Sequence, residues 1–383
     1  MESSAIPGDG TSDQLNKVAP LYSLIAGGAG FYWWLKWMHS EEIPFDHSNT
    51  YLTLATIVIV LIIIAAHECG HAAIGLALGM KLRAFMIGPF QWSIRSGKWQ
   101  FHFDPRQILM DSGATGLVPA VVNFPRWAHV CTLLGGVFAN AVTGTIALWL
   151  ALTGDARATF QADGLLALFG AWSLLMGIIN LVPFRSQIGY SDGAQIYQWA
   201  ANGVWADFHR VFGVLGTTLV TPLRPRDYDI DAIVRVSQGI TQGPYAPTLR
   251  LLAYWYFIDQ GRIREAGEAL TQVIDLYNNS AATVPAGLPP VLVFGAAYVL
   301  RNPEAARAWW KRSEDANPKR FDTEFWLAAS ALHWVNGNLD DAYQALSKAD
   351  LLARKLPNAG AYEFERYCCS LLRHALDEVS TLA

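Results

Sequence analysis

Residues 51–66, YLTLATIVIVLIIIAA, carry no charge, and the apolar run continues through His67-Glu68-Cys69-Gly70-His71 to Gly79. About 20 such residues in a helix cross the hydrocarbon core of a bilayer, whereas a helix of a soluble domain needs only one apolar stripe. The run therefore restricts this part of the chain to a membrane span, and the remainder must be organised around it. Spans are predicted at about 19–38, 51–79, 128–152 and 165–184. The first holds three glycines and Lys36, but its Tyr32-Trp33-Trp34 cluster suits a membrane interface.

Composition agrees with a membrane protein. The chain is 52% hydrophobic and 16% charged, against about 25% charged residues in ordinary soluble domains. A net charge of −4 gives no case for a nucleic-acid partner. The four cysteines have no zinc-ligand spacing, and the adjacent Cys368 and Cys369 are poorly placed for a structural disulfide, so the C-terminal part suits a reducing compartment. The polar, acidic N-terminus lacks a basic n-region, so no cleavable signal peptide is expected.

Basic residues set the expected orientation. Loop 39–50 holds Glu41, Glu42 and Asp46 but no Lys or Arg, whereas loop 80–126 holds Lys81, Arg83, Arg95, Lys98, Arg106 and Arg126. The positive-inside rule then places both termini and loop 80–126 in the cytoplasm, with His67 and His71 in the cytoplasmic half of their span. Within that loop, Trp92 to Phe103 alternates apolar and polar residues about Ser96-Gly97-Lys98, the pattern of a β-hairpin. An open edge strand there would pair with an extended substrate segment.

From about residue 225 the sequence becomes Pro- and charge-rich and then polar enough for a soluble helical domain. Three helix-pair units recur, beginning near Leu251, Phe294 and Trp326, with a mean spacing of roughly 35–40 residues. They resemble tetratricopeptide repeats. The expected fold is mainly α: a membrane-embedded helical bundle with a small β-hairpin region over 1–224, and a cytoplasmic α-helical, tetratricopeptide-like domain over 225–383.

The apolar run also carries the chemistry. His67 and His71 stand one turn apart on a helix, so both imidazoles can reach one metal ion, with Glu68 beside them as proton acceptor for a water. Ionisable groups at membrane depth are costly and mark functional sites. A zinc site needs a third protein ligand and an open position. Asp192, in Ser191-Asp192-Gly193, is the preferred candidate because Asn180-Leu181-Val182-Pro183 precedes it and ends the fourth span. Asp104 and Asp111 are the competing carboxylates.

These pieces resemble the site-2 protease group of intramembrane zinc metalloproteases. The likeness rests on His67-Glu68-Cys69-Gly70-His71, on Gly136-Val137-Phe138-Ala139-Asn140, and on Asn180 to Pro183 followed by Asp192-Gly193, and covers about residues 50–200. Phe85 to Phe90 is similar to that group's membrane-associated strand region. The resemblance implies that His67, His71 and Asp192 bind Zn2+, that Glu68 activates water, and that Asn140 holds the scissile carbonyl. The longer polar segment 184–191 departs from the group's usual link.

The resemblance further implies an endopeptidase of the bacterial inner membrane that acts on transmembrane protein substrates within the lipid bilayer. The repeat domain would recruit a cytoplasmic protein partner. An inactive membrane scaffold is the alternative, but a scaffold has no need of Glu68. A membrane zinc enzyme with a glutamate as third ligand would need one on a later span, and neither 128–152 nor 165–184 has any.

Overall fold

The computed structural model describes residues 49–95, 97–105, 113–153, 160–184, 190–243, 245–279, 287–316 and 322–382. The span expected at 19–38 lies outside them. The chain divides into two compact units, one ending at Ala206 and the other running from Asp207 to Ala383. The division therefore falls at residue 206, whereas the change of character in the sequence comes near 225.

In the first unit, helix α1 covers Asn49–Ala77, α2 Arg126–Thr153 and α3 Phe160–Leu181. Among the described residues, Leu54–Ala77, Arg126–Thr153 and Gly164–Leu181 are long and apolar enough to cross a membrane. Much of α1 is β-branched Ile, Val and Thr, which in water favours strands. In lipid the backbone must satisfy its own hydrogen bonds, so the same residues stay helical. Large apolar side chains point outward, with Phe138 65% and Leu152 76% exposed.

Where the helices meet, side chains give way to backbone. A Cβ on Gly70 of α1 would collide with the Gly135 carbonyl of α2 and come within 2.6 Å of the Ala139 Cβ. Gly144 of α2 and Gly170 of α3 make a second close crossing, each lying where a Cβ would come within 2.9 Å of the other's carbonyl oxygen. Small residues at such crossings let membrane helices approach closely.

Helix α1 ends in a left-handed glycine cap. Gly79 has φ 90°, its N–H donates to Leu76 O at 3.0 Å, and Met80 N–H donates to Gly75 O at 2.9 Å. The chain then enters an antiparallel sheet of β1 (Lys81–Ile87), β2 (Phe90–Arg95), β3 (Lys98–Phe103) and β4 (Gly113–Val118), in the order β3-β2-β1-β4. The predicted hairpin is β2–β3. The register of β1 on β4 runs from Lys81↔Val118 to Ile87↔Gly113, with an irregularity between Leu82 and Ala84. Helix α4 (Asp192–Ala201) follows α3 in the same unit, and α5 (Val204–Thr217) contains the division between the units.

The second unit is helical: α6 (Ile230–Gly239), α7 (Tyr245–Asp259), α8 (Ile263–Asn279), α9 (Leu288–Phe294) continued by a π-helical turn Gly295–Val299, α10 (Pro303–Ala316), α11 (Thr323–Val335), α12 (Leu339–Ala353) and α13 (Gly360–Leu382). Consecutive helices pack as hairpins, α7 on α8, α9 on α10 and α11 on α12. These stand at the three units read from the sequence. The turns within them use left-handed residues, Gly261 (φ 71°), Arg301 (φ 52°) and Gly337 (φ 82°). Ile258, Leu270, Leu292, Leu346, Leu372 and Leu376 are fully buried in one core. The stretch before α6 is held by a buried ion pair: Arg224 Nε donates to Asp259 Oδ2 at 3.2 Å, and Arg226 N–H donates to the same oxygen at 3.0 Å. Cys368 and Cys369 are buried free thiols.

Candidate metal centre

Residues from three helices and one strand converge in the first unit. His67 and His71 sit on α1, one turn apart, with ring centroids 4.6 Å apart and planes at 90°. His71 Nε2 lies 3.1 Å from His67 Nε2, Asp192 Oδ2 lies 3.0 Å from His67 Nε2, and 3.4 Å separates it from His71 Nε2. Ligands held about 2.0–2.1 Å from a tetrahedral zinc stand about 3.3–3.4 Å from one another. One side of the triangle matches that separation and the other two are about 0.2–0.4 Å shorter, so a small outward shift of the side chains would admit the ion. His67, His71 and Asp192 form a buried group that could bind a metal, and they are the one such group among the described residues.

The partners of the imidazoles fix their chemistry. His71 Nδ1 is 2.8 Å from the Thr132 carbonyl, which can only accept, so Nδ1 carries the proton and the Nε2 lone pair faces the triangle. Asn140 is fully buried and its amide lies 3.2 Å from His67 Nδ1 through Nδ2, which leaves Oδ1 without a partner among the described residues. The two ends of an amide are interchangeable in shape. Turned over, Oδ1 accepts from the His67 Nδ1–H, Nε2 is again the free lone pair, and the NH2 donors are released. Gly136 makes room for the rings, because a Cβ there would lie 2.5 Å from His71 Nε2 and 2.8 Å from His67 Cε1.

Asp192 arrives through a stitched connection. Helix α3 ends at Leu181, ahead of Pro183, and the chain is pinned on its return by Ser191. Ser191 Oγ donates to Val182 O at 2.8 Å and accepts from Phe184 N at 3.1 Å and from Ala194 N at 3.2 Å, so it also caps α4. Gly193 rests on the Leu181 carbonyl with no room for a Cβ. The longer link in the sequence thus still delivers the carboxylate to the two imidazoles.

Glu68 is buried on the same helix and is gripped by the sheet. Thr115 Oγ1 of β4 donates to Glu68 Oε2 at 2.6 Å, and Gly113 lies so close to Oε1 that a Cβ would collide with it. Neither Thr115 nor Gly113 stood out in the sequence. The available signal was a run of small residues, Gly113-Ala114-Thr115-Gly116, after a charged stretch. Strand β4 also pairs only with β1 among the described residues. The β2–β3 hairpin places β3 at the other edge of the sheet. Asp104 donates its N–H to Pro89 O at 3.0 Å after β3 and is not part of the metal group, while Asp111 lies outside the described residues.

Residues 55–155 match the model of Peptidase family M50. That family is the site-2 protease family, made up of zinc metallopeptidases. No curated protein and no solved structure matches the chain. The matched stretch contains His67, Glu68, His71 and Asn140 and stops short of Asp192, whose place at the site rests on geometry. Together the match and the three membrane-length helices support an integral membrane metallopeptidase.

Proposed function

We propose that this protein is an intramembrane zinc metalloendopeptidase that hydrolyses peptide bonds in or near the transmembrane segments of membrane-protein substrates. One observation carries the reading: two imidazoles and a carboxylate meet within 3.4 Å, and the Thr132 carbonyl fixes His71 with its Nε2 lone pair turned inward. His67, His71 and Asp192 would hold the ion, and a Zn2+ ion bound there supplies Lewis acidity to a water and to the scissile carbonyl.

The remaining steps belong to side chains of the chain itself. Glu68 takes a proton from the attacking water and returns it to the leaving amine. Thr115 orients the Glu68 carboxylate for that transfer. Asn140 fixes His67 and, with its amide turned, offers NH2 donors to the scissile carbonyl. A helical substrate hides its carbonyls in internal hydrogen bonds, so it must unwind before attack. The outer edge of β4 then holds the unwound segment extended, by strand addition beside Glu68.

We place the enzyme in a bacterial inner membrane, as the family resemblance implies, with both termini cytoplasmic on the charge asymmetry of its loops. The three helical hairpins of the second unit act as a tetratricopeptide-like module for a cytoplasmic protein partner. The test is metal content and cleavage of a transmembrane substrate by the same preparations. Wild type should carry about one zinc per chain. Glu68→Gln should keep it and lose cleavage by about 10²–10⁴-fold. Full zinc occupancy in the His67→Ala, His71→Ala double variant would remove the metal site, and undiminished cleavage by Glu68→Gln would remove the general base.

A further inference from the structure

The helical unit contains a partly open cavity of about 310 Å³, within the size range of small-molecule sites. Its lining is mainly apolar and includes Leu219, Trp255, Val291 and Phe294. Three independent features meet there. Tyr254 lines the cavity, is only 1% exposed, and its hydroxyl has no hydrogen-bond partner among the described residues. Leaving a buried hydroxyl unpaired costs free energy, and native proteins rarely do so without a reason. The second tyrosine of the lining, Tyr228, is paired with Thr218, so the orphan is specific to Tyr254.

The backbone beside it is also unusual. Phe294 leads directly into the π-helical turn Gly295–Val299, a local widening that recurs at functional sites. Gly295 is where the Tyr254 hydroxyl comes close, since a Cβ there would stand 3.0 Å from it. The third feature is charge: Glu324 and Glu365 line the cavity, and among the described residues no Lys, Arg or His does. An anionic end group would find no cation among these lining side chains.

We infer that this cavity is a binding site for a small, largely apolar molecule, neutral or cationic, that brings one polar atom to the Tyr254 hydroxyl. The site is separate from the metal centre and has its own chemistry.

Two probes with one ring system and opposite charge test it: tryptamine and indole-3-acetate, titrated by calorimetry into the full chain in detergent, with empty micelles as reference. Tryptamine should bind saturably, and indole-3-acetate at least tenfold more weakly. Tyr254→Phe should weaken tryptamine by roughly fivefold to tenfold, the loss of one hydrogen bond. Ala361→Phe, which fills the cavity from its wall, should abolish binding and decides the matter should Tyr254→Phe fail to fold. Absence of saturable tryptamine binding overturns the inference. So does equal affinity for the two probes, or a tryptamine affinity unchanged by Ala361→Phe.

Discussion

On α2 of the membrane unit the buried residues are Ala128, Thr132, Gly135, Gly136, Asn140, Gly144 and Ala147. In the helical unit they are Leu270, Leu292, Leu346, Leu372 and Leu376, with alanines between them. Helix α2 hides small and polar residues and shows large apolar ones such as Phe138 and Leu152, whereas the helical unit hides large apolar ones. Lipid is as apolar as leucine, so burying leucine between helices gains little in a bilayer, and close backbone approach and polar contacts hold the unit together. In water the exclusion of apolar surface does that work. The same amino acid therefore has opposite value in the two halves of one chain.

The sharpest way to break this comparison is to enlarge a residue in the first unit and shrink one in the second. Gly70→Leu should force α1 from α2 at the Gly135 carbonyl and abolish both zinc binding and cleavage, while hydrogen exchange in residues 245–382 stays unchanged. Retained zinc in that variant would mean that the helix crossing is not what assembles the ligands. In the second unit the largest loss should come from Arg224→Leu, which leaves the Asp259 carboxylate buried without its cation and should cost about 3–5 kcal/mol in chemical unfolding. Adding Asp259→Leu should restore most of it, and a double variant no more stable than the single one would contradict the argument.

Leu346→Ala should cost about 2–5 kcal/mol of the helical unit's stability and leave zinc content untouched. A loss of zinc there would show that the two cores are not energetically separate. Smallest in free energy, Thr115→Val removes one hydrogen bond to the Glu68 carboxylate, worth about 1.5–3 kcal/mol. It should lower kcat by about tenfold or more with zinc retained, and a change in KM alone would assign Thr115 to substrate binding instead.

What could be read from the sequence follows the range of the interactions. The three described spans depend on local hydropathy, and each was expected within a few residues of its place. His67 and His71 come from a spacing of one helical turn, and Asp192 stood out as the aspartate following Asn180 to Pro183. The strand β4 was not legible, because Gly113–Val118 lacks the alternation of a strand and owes its form to pairing with Lys81–Ile87 far back in the chain. Thr115 was lost with it. The roles of Ser191 and Gly193 were hidden for a similar reason, since both are defined by what they touch at the end of α3. Nor does anything in Tyr245–Asp259 set Tyr254 apart from its aromatic neighbours until its hydroxyl is seen to lack a partner among the described residues.

Ser191 and Gly193 make the third ligand a rigid extension of the helix end that precedes it. With Ser191 bonded to Val182 O and Gly193 seated on Leu181 O, no slack separates that terminus from the carboxylate. Any sideways tug on α3 is therefore transmitted to one leg of the tripod, while the two legs on α1 stay put. Cobalt in place of zinc would turn that lever into a colour, because its visible spectrum follows the angles among its donors.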